Sequence, residues 1–97
     1  MITLRMHRHG RELLLAAADK DLLGRELRGD GLRLEVCLEF YEGEDASEEV
    51  LLNRLSMCTV ANLVGEETVG AALRGGYLHK DCILRIAGVP HAQLAKM

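Results

Sequence analysis

Leu32-Arg33-Leu34-Glu35-Val36-Cys37-Leu38-Glu39-Phe40-Tyr41 alternates apolar side chains with mostly polar ones along its whole length. A period of two places successive side chains on opposite faces of an extended chain. One strand is therefore expected, with Leu32, Leu34, Val36, Leu38 and Phe40 buried together. Arg33, Glu35, Cys37, Glu39 and Tyr41 then face water or a partner.

Towards the N-terminus, Ile2, Leu4 and Met6 alternate with Thr3, Arg5 and His7 in the same way. His9-Gly10 offers a turn and residues 12–17 form a nearly continuous apolar run, so the opening reads as a β-hairpin. Asp19 and Gly24 bracket a short segment that can close one helical turn, with Asp19 as its N-cap and Gly24 as its end. Gly29-Asp30-Gly31 is a further break.

Towards the C-terminus, residues 42–46 read as an acidic loop. Asp45 precedes Glu48 by three positions, a capping spacing for a helix starting near Ala46. Leu51, Leu55 and Cys58 then recur at helical intervals. Residues 58–64 stay open between two readings: Thr59, Val60 and Val64 suit a strand, while Ala61 and the preceding pattern suit a continuing helix. A helix is expected over 66–74, with Val69, Ala72 and Leu73 inward and Gly75-Gly76 ending it. A strand over 82–87, a turn at Gly88-Val89-Pro90 and a short strand over 91–96 complete the chain. The order is β-β-(short α)-β-α-α-β-β. It predicts an α+β fold in a single small domain over 1–97, a mostly antiparallel sheet with two main helices packed on one face. An open sheet has edges to protect, so a homodimer is expected through the first or last strand.

Composition narrows the function. The hydrophobic share of 48 % in 97 residues suffices for one core, whereas 3 % aromatics leave few stacking platforms for single-stranded nucleic acid. A formal net charge of -3 argues against a general phosphate-backbone binder. Arg5, Arg8 and Arg11 nevertheless cluster near the start, leaving an RNA- or ribosome-associated accessory factor as one reading. Arg and His interrupt the first residues where a signal peptide would be apolar, and no apolar run reaches the roughly 18 residues of a membrane span. Three widely spaced cysteines, Cys37, Cys58 and Cys82, fit reduced thiols in a cytoplasm. No membrane association is expected.

Two dense segments remain, Cys58 to Glu66 and Ala87 to Gln93. The second holds the one proline of the chain. Proline fixes the backbone and keeps Val89 extended, so His91 is presented in a defined direction. His91 and Gln93 share a strand face, and Asn62 joins them from the other segment as a third donor–acceptor. Such groups either tie the fold together or form a ligand or partner surface. Glu66 reads first as a helix-start charge and belongs to the same candidate surface. The leading function is a non-enzymatic binding module for an unknown protein or a small polar ligand; the alternative is a small enzyme with His91 as acid or base. No catalytic set, metal or cofactor is predicted. His7 and His9 share a face, but no closely spaced Cys/His pair accompanies them. Cys37 stands between Glu35 and Glu39, which disfavour a thiolate.

The opening hairpin ending in Gly10, Leu22-Leu23-Gly24, the strand before Phe40-Tyr41, Ala61 to Glu66 and Gly88 to Gln93 resemble a family of small archaeal proteins. That family is known only as a domain of unknown function, family four hundred and twenty-four. The chain departs from its pattern at Glu42, where a glycine is expected, and at His9, in place of a small hydroxyl residue. The resemblance implies an archaeal, intracellular protein and supplies no activity, substrate or cofactor.

Overall fold

The opening hairpin is the longest local unit. In the computed structural model, which describes residues 1–96, β1 (Ile2–His9) pairs antiparallel with β2 (Glu12–Asp19) along its full length. A 3-10 turn at Lys20–Leu22 leads to a second, smaller hairpin, β3 (Glu26–Gly29) and β4 (Leu32–Glu35). The chain continues through α1 (Leu38–Tyr41), β5 (Glu44–Ala46), α2 (Glu48–Met57), β6 (Val60–Val64) and α3 (Glu66–Arg74). After a 3-10 turn at Lys80–Cys82 it finishes with β7 (Leu84–Ile86) and β8 (Val89–Ala95).

Six strands form one sheet in the order β5-β1-β2-β6-β8-β7, and only β2 and β6 run parallel. The fold is α+β, a mixed but mostly antiparallel sheet with two main helices, as the order of elements predicted. Both helices cover one face. Leu51, Leu55 and Cys58 from α2 and its cap meet Val69, Ala71 and Ala72 from α3 over Ile2, Leu4, Leu15, Ala17, Ala61 and Leu63. The second face is covered in part by the smaller hairpin and α1: Leu22, Leu27, Val36 and Tyr41 pack on Ala16, Ala18, Val64 and Ile86. The alanines on β2 let both layers approach the sheet closely, which is how a core nearly free of aromatics is filled.

The strand expected over 32–41 is corrected. Only Leu32–Glu35 is strand, Leu38–Tyr41 is helical, and Leu32 and Leu38 are 39 % and 50 % exposed. The hairpin ends at Val36, whose N–H donates to Arg25 O at 2.9 Å and whose carbonyl accepts from Gly24 N at 2.7 Å. The chain then turns at Cys37, and the side-chain period changes from two to 3.6. Val36 and Tyr41 therefore reach the core, while Phe40 is half-buried against His7. Burial pushes the Tyr41 hydroxyl up to about 12, with Cys37 adding to it.

Several local expectations change for related reasons. Residues 58–64 resolve as a strand over Val60–Val64, inserted between β2 and β8. The acidic loop contains β5, and Ser47 rather than Asp45 caps α2, its Oγ accepting from Val50 N at 3.2 Å. Asp45 instead pairs with Lys20 at 2.9 Å. The last hairpin turns at Ala87-Gly88, with φ of 53° and 80°, so Val89 and Pro90 belong to β8 and Cys82 to the 3-10 turn. Helix α3 keeps its predicted bounds, but Leu73 is 38 % exposed because the sheet is already covered by Val69 and Ala72. The outermost strands are β5 and β7, three residues each, which cover the first strand only at Ile2–Leu4 and the last only at Val89–His91.

Candidate functional site

The β6–β8 register brings three of the predicted side chains together. Val64 lies opposite His91, and Asn62 opposite Gln93. On the far side of each, β7 places Leu84 beside His91 and β2 places Ala16 beside Asn62. Directly opposed residues of a ladder share a face. Asn62, His91, Gln93 and Leu84 therefore stand together on the face away from α2 and α3. A shallow cleft of about 250 Å³ opens there, lined by Cys82, Leu84, His91, Ala92 and Gln93.

Pro90 sits where its missing N–H costs little. Its carbonyl accepts from Gly65 N at 2.9 Å, just beyond the end of β6. That bond and the proline ring together fix the direction of the next residue. His91 is half-buried, and burial lowers its pKa from 6.5. The unfolded chain then takes up a proton near pH 6.5 before the folded one does, so stability is intact above that pH and falls as acid is added. Thermal melts at about pH 7.5 and about pH 5.5 should show a smaller drop for His91→Gln than for wild type; equal drops would remove His91 as a source.

The second polar group is stranger. Asn62 Oδ1 is buried and accepts no hydrogen bond among the described residues. A buried acceptor left unpaired costs roughly 1–3 kcal/mol. Asn62 lies in mid-strand and ties nothing through that oxygen. Among the described residues, neither His91 nor Gln93 has a side-chain hydrogen bond within the chain, and no carboxylate lines the cleft. The cleft offers neutral donors and acceptors beside the thiol of Cys82 and the apolar Leu84. Leu84 and Cys82 were not singled out as site residues by the sequence, in which both fall within the strand expected over 82–87.

Glu66 stands apart. It pairs with Arg85 at 2.6 Å, and Arg85 lies opposite Pro90 on the helix side of the sheet. The three N-terminal arginines are also separated. Arg5 donates to the Glu39 carbonyl at 2.9 Å, while Arg8, three positions on, projects from the opposite face. His7 Nε2 lies 2.8 Å from Phe40 O and its ring stacks on Phe40 at 4.9 Å. Thr3, Arg5 and His7 all contact carbonyls of α1, which marks them as the seam holding α1 to β1. Cys58 is buried, and burial pushes its thiol up; Cys37 and Cys82 are exposed and unpaired. No group of three or more His, Cys, Asp or Glu side chains with metal-binding proximity occurs among the described residues. No helix among them is long and apolar enough to cross a membrane.

Asp19 is the polar side chain that sequence reasoning misassigned. It makes no capping bond to the 3-10 turn that follows it. Its carboxylate instead accepts from Glu67 N at 3.1 Å and from Thr68 N and Thr68 Oγ1 at 2.8 Å each, capping α3 from another strand.

No curated protein matches the chain. A family model described as "Protein of unknown function (DUF424)" matches residues 7–97. Among solved structures, the chain is similar to an uncharacterized conserved protein from Methanopyrus kandleri, with 26 % identity and a TM-score of 0.80 over 99 % of this chain and 93 % of that one.

Proposed function

The chain belongs to the DUF424 family, which carries no assigned activity, and we propose that it is a non-enzymatic binding module working through the sheet face at Asn62, His91 and Gln93. The observation that carries this reading is the unpaired, buried Oδ1 of Asn62. Asn62 lies beneath the cleft lining rather than in it, so a donor that reached this oxygen by parting His91 and Gln93 would repay a cost the free protein bears. The neighbours fit the same role: His91 is directed by Pro90, Gln93 is exposed, and the cleft beside them is open. Catalysis would need a closed site and groups converging on His91; the cleft is shallow and free of carboxylates, and its one other ionisable side chain is the Cys82 thiol. The ligand class is a protein segment or small polar molecule bearing neutral donors. The setting on this reading is an archaeal cytoplasm, where the exposed thiols of Cys37 and Cys82 stay reduced.

Single alanine substitutions test it. Asn62→Ala should change stability by less than about 1 kcal/mol, because no bond to Oδ1 is lost. His91→Ala and Gln93→Ala should also leave melting nearly unchanged. At least one of the three should abolish capture of the native ligand from lysate, read by mass spectrometry of bound protein and small molecules. Variants that melt far below wild type, or that capture as wild type does, would make the cluster structural.

A further inference from the structure

We propose that the second half of β1, residues 6–9, is a docking edge that takes an acidic, extended peptide segment of a partner protein as an added strand. β5 pairs with β1 only at Ile2, Thr3 and Leu4, so no strand among the described residues lies beside the rest of that edge. The direction of the free backbone groups follows from two contacts. Lys20 N donates to Met1 O at 2.7 Å, so odd-numbered residues of β1 turn their backbone towards β2. On the other side, a Cβ added at Gly43 would overlap the Leu4 carbonyl oxygen, which shows the even-numbered residues facing outward. Met6 and Arg8 therefore turn their N–H and C=O groups away from β2, without a backbone partner among the described residues, at the two-residue spacing that another strand matches.

Charge selects the occupant. Arg8 and Arg11 are exposed and have no carboxylate within ion-pair distance among the described residues, and Arg5 is held only by a backbone carbonyl. Arg28, Arg33, Arg54, Arg74 and Arg85 each have a carboxylate partner, and Arg25, beside the smaller hairpin, is the one arginine away from this edge without one among the described residues. In a chain of net charge -3 this leaves a local cationic edge. The fold already lays an acidic strand against the same edge, because β5 carries Glu44 and Asp45. A partner strand would continue the line of β5, with a carboxylate opposite Arg8 and another reaching Arg11. A second copy of this edge would set arginine near arginine, which opposes self-pairing. Nucleic acid is disfavoured because Arg5 and Arg8 project from opposite faces and Phe40 is stacked on His7. Arginine can also guard an edge against association altogether, and the experiment separates that role from docking.

The probe is a capped octapeptide alternating glutamate with valine, titrated into the isotope-labelled full chain. A lysine-for-glutamate peptide and oligouridylate serve as controls. Amide exchange at Met6 and Arg8 should slow by about tenfold at saturation with the glutamate peptide and not with the lysine peptide. Arg8→Glu should weaken binding about fivefold or more. Arg8→Pro should weaken it similarly while melting near wild type, because the Arg8 N–H faces away from β2. Asn62→Ala should leave this binding unchanged, which keeps the outcome separate from the sheet-face reading. Unslowed exchange at Met6 and Arg8, equal protection by the lysine peptide, or binding of oligouridylate without the glutamate peptide would each overturn the proposal.

Discussion

Gly65→Ala should lower stability by about 3 kcal/mol or more, a drop in melting midpoint of roughly 12–24 °C for a domain of this size. Gly65 sits between β6 and α3 with φ 109° and ψ 153°, a conformation that only glycine adopts readily. Space is lacking as well. A Cβ there would lie 2.5 and 2.6 Å from the two carboxylate oxygens of Asp19. Those oxygens cap α3, so they cannot retreat without releasing the Glu67 and Thr68 N–H groups. The substitution strains the backbone and displaces the cap in one step. Scanning calorimetry or circular dichroism melts measure the result, and a midpoint within a few degrees of wild type would show that the junction is soft.

Asp19→Ala should cost about 3 kcal/mol, more than the loss of an ordinary cap. Besides two backbone N–H groups, the Asp19 carboxylate satisfies the hydroxyl of Thr68, which is 0 % exposed. Removing it leaves a buried donor as well as an uncapped helix. Asp19→Asn keeps an acceptor and should recover part of the loss. The two sites are coupled: with the carboxylate gone, the alanine at position 65 has less to strike. The double substitution should therefore fall short of the summed single effects by about 1 kcal/mol or more. Strict additivity in that cycle would mean that Gly65 acts through backbone conformation alone.

The legibility of the chain tracks how far each element imposes one period. The β1–β2 hairpin and the bounds of α3 were readable because Ile2, Leu4 and Met6, or Val69 and Ala72, repeat one spacing without interruption. At Val36 two spacings meet, and the alternation of leucines beyond it mimics a strand that the turn at Cys37 ends. β3 was silent because Leu27 is its single buried residue. β5 was hidden by its charge: an edge strand of Glu44, Asp45 and Ala46 has little need of apolar residues. Of the candidate site, Asn62, His91 and Gln93 stood out because polar residues inside apolar runs demand an explanation, and the ladder register places them on one sheet face. Glu66 and the three arginines could not be assigned to faces without knowing which strands are neighbours. Asp19 was missed for the same reason: the helix it caps lies 48 and 49 positions away.

The single parallel pairing also bears on how the chain reaches this state. Leu13 N bonds Thr59 Oγ1 across 46 positions, at the start of the β2–β6 contact. Hairpins such as β1–β2 close in about 1–10 μs, because their ends are already neighbours. Bringing β6 onto β2 must instead close a loop containing the smaller hairpin, α1, β5 and α2, and must pass those elements to opposite sides of the sheet. Refolding should therefore be governed by this one distant closure, with β1–β2 protected from exchange before β6. Ala16, Asn62 and Gln93 come from three strands, so the row that carries the candidate sheet-face site is assembled last.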